Sequence, residues 1–121
     1  ALLSRAIQSL SKHKHIEFLK TYAMAEFDLG SADRGRQVLE ELLSSYPKKS
    51  DLAHVYVDKE VKCGNYREAR VLYTRLITFK YNLKNKMTLF KKYLAFEKAH
   101  GTPKDVEKVK ALAKEYAESV A

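Results

Sequence analysis

The side chains able to do chemistry in this 121-residue sequence are one Cys, four His, 15 carboxylates and eight Tyr. His13 and His15 lie two apart in "SKHKH", interleaved with Lys12 and Lys14. A metal site needs three or four converging donors, and neighbouring ammonium groups oppose a dication. His54 and His100 are far along the chain, so spacing supplies no third ligand. The pair reads as a solvated linker. Cys63 stands just before Gly64. A catalytic thiol needs a base and a setting that stabilises thiolate. No motif provides either, and Cys63 reads as a small, partly buried residue. No P-loop, dinucleotide-binding loop or nucleophile elbow occurs. The expectation is a protein that is not an enzyme, with no cofactor, no metal and no small-molecule substrate.

Charge points elsewhere. The formal net charge is +8. Such an excess bears on partners rather than on fold, and favours a polyanion such as RNA or an acidic protein surface. Lys48 and Lys49 form one cluster, and Lys80, Lys84 and Lys86 another. Lysines in loops can contact phosphate without reading sequence. The aromatic residues could stack bases. However, Tyr22, Tyr56, Tyr73, Phe90, Tyr93 and Tyr116 fall on apolar helical stripes and read as core.

The elements that would position these residues follow from a repeat. Tyr22, Glu26 and Gly30 share their spacing with Tyr56, Glu60 and Gly64, and with Tyr93, Glu97 and Gly101. The Tyr-to-Tyr steps are 34 and 37 residues. A period of about 34 residues is that of a helix–turn–helix repeat. Leu, Ala, Lys and Glu are abundant and no alternating β-branched run occurs, which favours helices. In the middle unit Leu52, Val55 and Tyr56 form the stripe of helix A. Gly64 ends it, because a left-handed turn resists a Cβ. Asn65 with Glu68 resembles a capping box opening helix B, whose stripe is Ala69, Leu72, Tyr73, Leu76 and Ile77. In the first unit helix B carries Val38, Leu39, Leu42 and Leu43 and stops near Pro47. In the third, Thr102 and Pro103 start helix B. Its stripe is Val106, Val109, Ala113, Tyr116, Ala117 and Val120.

One hairpin cannot bury both of its faces, so stacking of neighbours makes a continuous core. The expected fold is an all-α superhelix of about three hairpins in a single domain, 1–121. The units are 15–47, 50–80 and 86–120, with 2–11 as the B helix of a truncated unit. Its first residues read as helix without a preceding cap, so a piece of a longer protein is expected. The single Cys excludes an intrachain disulfide and fits a reducing compartment. No signal-peptide pattern is present. No apolar run reaches the ~18 residues of a membrane span.

Ala69 and Tyr73 match the tetratricopeptide A-x3-F spacing. An aromatic, then Glu, then Gly, followed by Ala69-Arg70, resembles the half-a-tetratricopeptide repeats of RNA-processing assemblies. That resemblance implies ties between the helices of one hairpin, Glu26 to Arg36 and Glu60 to Arg70. Glu107 stands where a third Arg would be. "YPKKSDLAHVYVDKEVKCGN" and "FEKAHGTPKDVEKVKALAKEY" resemble the C-terminal helical-repeat region of the ribosomal RNA processing protein five family. The likeness covers almost the whole chain. Ala53 replaces the usual Trp after "DL". The family implies a nuclear, nucleolar scaffold in ribosome biogenesis. Its implied role is to support pre-rRNA processing and small-subunit assembly through pre-ribosomal RNA and assembly factors. The alternative is a protein–protein adaptor in mRNA splicing or 3′-end processing. In such arrays helix A lines the concave face, which places Lys20, His54, Asp58, Lys62 and Lys91 along a partner groove.

Overall fold

The computed structural model describes residues 12–121. Six α-helices follow one another: α1 (Lys12–Leu29), α2 (Ala32–Ser45), α3 (Ser50–Lys62), α4 (Tyr66–Leu76), α5 (Leu83–His100) and α6 (Pro103–Ser119). No strand occurs among the described residues. The fold is all-α, as the period and composition imply. Residues 2–11, expected to form a lone B helix, lie outside the described residues. The chain divides into two compact units, one up to Tyr56 and one from Val57, so the division falls inside α3.

In the first unit α1 packs on α2. Ser31 caps α2 by accepting from the Arg34 backbone N–H at 3.4 Å, which satisfies a donor that the helix start leaves free. Gly35, Leu39, Leu42 and Leu43 are the buried positions of α2, at the spacing of one helix face. Ile16 and Ala23 are buried on α1. A Cβ at Gly35 would lie 2.6 Å from the Phe27 ring and 2.7 Å from the Ala23 carbonyl oxygen. That glycine therefore sets how closely α2 approaches α1.

In the second unit the turn after α3 is made at Gly64, the one described residue with a positive φ, +79°. The Gly64 N–H donates to the Val61 carbonyl at 3.0 Å and the Asn65 N–H to the Glu60 carbonyl at 2.8 Å. This is the Schellman pattern, which satisfies the last carbonyls of a helix. Asn65 stands at the N-cap of α4 but makes no side-chain cap bond. Its amide instead donates back to the Glu60 carboxylate at 3.0 Å, so the expected capping box with Glu68 does not form. Ala69, Leu72, Tyr73 and Leu76 of α4 are buried. They belong to one core with Leu89, Phe90, Tyr93 and Phe96 of α5 and Val109 of α6. The Tyr73 and Tyr93 rings stack at 4.9 Å with 5° between their planes, adding to area burial by about 0.5–1.5 kcal/mol. Thr102 and Asp105 close a capping box around Pro103.

The three signature tyrosines do not share one environment. Tyr56 and Tyr93 are 4% and 2% exposed, whereas Tyr22 is 38% exposed. Tyr93 is covered by Tyr73 from the preceding B helix, and the residues that precede α1 are not described. Val120, placed on the α6 stripe by sequence, is exposed.

Replacing Gly64 by Ala should lower stability by about 1–2 kcal/mol through the left-handed backbone alone. The added methyl would meet nothing within 4 Å. Urea unfolding checks this, and a loss below the error of the method would contradict it. Hydrogen bonds from the Thr102 N–H and hydroxyl region hold the Asp105 carboxyl below its ordinary value. A depressed carboxyl stabilises above its ordinary pKa, and this is lost as pH falls through the folded value. Asp105→Asn should flatten that acid limb in melting curves recorded as a function of pH.

Candidate binding groove and basic loops

The strongest polar contact of the second unit is a fork of hydrogen bonds between α4 and α5. Arg70 Nε donates to Glu97 Oε1 and Oε2 at 3.1 and 3.0 Å, and Arg70 NH2 to Oε1 at 2.8 Å. The Glu97 side chain is 2% exposed and that of Arg70 38%. The hydrogen bond to Glu97 raises the Arg70 pKa, against the lowering effect of burial. Asp105 lies 4.0 Å from the same guanidinium. Arg70 also sits over the Phe96 ring at 5.7 Å.

This differs from the ties that the repeat resemblance implied. Arg70 reaches Glu97 of the following hairpin, not Glu60 of its own. Glu60 takes the Asn65 amide instead. Arg36 bonds Asp33 at 2.8 Å, and Oε2 of Glu26 is buried without a hydrogen-bond partner among the described residues. The physical reason is direction. Arg70 sits on the face of α4 that packs on α5, so its nearest buried carboxylate belongs to the next A helix.

A groove of about 410 Å³ is lined by residues of α3, α4 and α5. Tyr73 and Phe96 form its floor, with ring centroids 5.5 Å apart. Ala95 and Ala99 of α5 and Val61 of α3 also line it. Lys62, Lys92, Asp58 and His100 stand around the rim. Lys92 and Asp58 pair at 2.6 Å. His100 stacks on Tyr66 at 3.9 Å with 19° between planes. Burial, with help from the charge of Asp58, pushes the Tyr73 hydroxyl well above its ordinary pKa. It therefore stays a hydrogen-bond donor. Tyr73 is 2% exposed.

Of the residues that sequence reasoning placed on a concave face, Asp58 and Lys62 line this groove. Lys91 does not; its neighbour Lys92 does. Lys92, Ala95, Phe96 and Ala99 recur at the three- and four-residue spacing of one helix face, and Lys91 is one residue off it. That spacing was the available signal for Lys92, Phe96 and His100. In the first unit Lys20 pairs with Glu17 at 2.9 Å and His54 is half-buried.

Among the loop lysines, Lys48, Lys80 and Lys84 are exposed and Lys49 is half-buried. Lys86 is different. It is 7% exposed, its ammonium donates to the Ile77 carbonyl, and it lies over the Tyr116 ring at 5.1 Å. Burial lowers its pKa. It closes the end of α4 and is no phosphate contact. Cys63, expected to be partly buried, is exposed. His15 meets the Tyr46 ring edge-on at 6.4 Å, so the "SKHKH" segment does have a packing partner. No group of three or more His, Cys, Asp or Glu able to hold a metal occurs among the described residues. No helix among them is long and apolar enough to cross a membrane.

Comparison with curated proteins decides the relationship. The chain is 43% identical over 119 residues to an rRNA biogenesis protein RRP5 of Arabidopsis thaliana, covering 98% of this chain. It is 42% identical over 115 residues to the rRNA biogenesis protein rrp5 of Schizosaccharomyces pombe. It is 39% identical over 118 residues to a Protein RRP5 homolog of Mus musculus. The chain is homologous to one segment of the RRP5 proteins. The resemblance read from "YPKKSDLAHVYVDKEVKCGN" and its companion stretch is thereby borne out. The chain spans about 6–7% of the length of these RRP5 relatives. No family model matches it.

Removing one member of the Arg70–Glu97 pair should cost unequally. Arg70→Ala strands a buried carboxylate and should lower stability by about 3 kcal/mol. Glu97→Gln leaves a guanidinium that can turn to water and should cost about 1–2 kcal/mol. Chemical unfolding of both variants checks the order; equal losses, or a larger one for Glu97→Gln, would contradict it.

Proposed function

We propose that this chain is a non-catalytic helical-repeat scaffold in rRNA biogenesis. The carrying observation is its 39–43% identity, over 95–98% of its length, to segments of RRP5 proteins named for rRNA biogenesis. In this reading it works in the nucleolus within a longer protein, and holds pre-ribosomal RNA and assembly factors during small-subunit assembly. Exposed Lys48 with half-buried Lys49 in one inter-helix loop, and exposed Lys80 in another with Lys84 in the first turn of α5, support an RNA-facing role. Their contacts would be to phosphate and would position RNA without reading its bases. Lys86 belongs to the core and has no part in this surface.

The test is binding of the chain to structured pre-rRNA across a salt series. Affinity should fall steeply with salt, with a log–log slope that loses about 0.9 for each phosphate contact removed. Converting Lys48, Lys49, Lys80 and Lys84 to Glu should weaken binding by about tenfold or more without changing the melting temperature by more than a few degrees. Absence of binding at low salt would sink the RNA-facing role.

A further inference from the structure

The positive charge of α5 is laid out in a line. Lys84, Lys91 and Lys98 recur every seven residues along it. Two turns of an α-helix take about 7.2 residues, so the three fall within about 40° of one another around the axis. Neighbours are about 10.5 Å apart, and the line is about 21 Å long. All three lysines are exposed. The buried residues of α5, with Leu89, Tyr93 and Glu97 among them, occupy the opposite side. Lys91, which the groove does not use, finds its place on this outer face.

No acid of α5 shares that face. The single carboxylate of the helix, Glu97, is buried and held by Arg70. The lysine ion pairs of the second unit join Lys92 to Asp58 and Lys110 to Glu107 instead. Like charges about one Debye length apart contribute nothing favourable to the fold, so packing does not explain the line.

The face also lacks the means to hold bases. Met87, Thr88 and Ala95 stand between the lysines, exposed, and none of them has a ring. His100, stacked on Tyr66 at 3.9 Å, lies two residues and about 200° beyond Lys98, on the far side of the helix. Single-stranded RNA is held by stacking of its bases as well as by charge. A row of cations alone suits a backbone whose bases are turned inward. Duplex RNA is such a backbone, with dense phosphates on a stiff rod.

We propose that the outer face of α5 lies along the phosphate backbone of double-stranded RNA, with Lys84, Lys91 and Lys98 each meeting a phosphate. The assignment rests on the RNA-facing reading of this chain and deepens it. It names the form of RNA, and it adds Lys91 and Lys98, which lie outside the loops. The contacts recognise charge and shape and read no sequence.

The probes are a short RNA duplex and poly-uridine of equal length, titrated into the 121-residue chain across a salt series and followed by fluorescence anisotropy. The duplex should bind about tenfold more tightly at low salt. Lys91→Gln with Lys98→Gln should weaken duplex binding by about tenfold and reduce the log–log salt slope by about 2. Lys91→Arg with Lys98→Arg keeps the charge and should preserve both. Lys62→Gln with Lys92→Gln removes equal charge from the groove and should change affinity by less than about threefold. Melting curves check that each variant is folded. The proposal is overturned if poly-uridine binds as tightly as the duplex, if the two glutamine pairs weaken binding equally, or if the slope does not change. Binding lost with Lys48, Lys49 and Lys80 but not with Lys91 and Lys98 overturns it and leaves the RNA-facing role standing. Absence of all RNA binding at low salt overturns both.

Discussion

A carboxylate buried to within 2% of full occlusion, Glu97, has to be neutralised where it stands. Taking an ion out of water costs several kcal/mol, and only a well-formed partner offsets it. Arg70 supplies that partner as a three-bond fork from the preceding hairpin. The geometry is demanding, since a planar guanidinium meets a carboxylate squarely at one separation and one rotation. It therefore ties α4 to α5 in register. The rest of the second unit depends on that register. Tyr73 can stack on Tyr93, Phe96 lies under the guanidinium, and the face carrying Lys92, Ala95 and Ala99 turns toward Asp58 and Val61.

Two kinds of surface follow, with different physics. The loop lysines are solvated, so each is worth little alone and their effect is cumulative and screened by salt. The groove is partly desolvated, so a single well-placed side chain matters more there.

Much of this architecture was legible from period and punctuation. Gly64 marked the end of α3 because only a left-handed turn fits there, and Thr102 with Pro103 marked the start of α6. The stripe Ala69, Leu72, Tyr73, Leu76 announced the core face of α4. Sites were harder to read. Lys86 looked like another loop cation, and only its place beneath the end of α4 shows it buried. Lys91 and Lys92 are adjacent in sequence, yet a step of one residue turns a side chain by about 100°, enough to move it out of the groove. Asn65 looked like a cap, but its amide turns back to donate to the Glu60 carboxylate and makes no side-chain cap bond.

By itself the sequence determined that the chain is helical, that its helices come in turns of fixed spacing, and that it is basic and related to RRP5 proteins. These properties depend on residues close in sequence, on composition, or on residue-by-residue similarity. Tertiary structure alone decided which Glu receives Arg70, why Tyr93 is covered and Tyr22 is not, and which residues of three helices line one groove. Each of these depends on which neighbour arrives across the packing between helices. A side chain bonds to the group nearest in space, and that choice is made only when two helices meet.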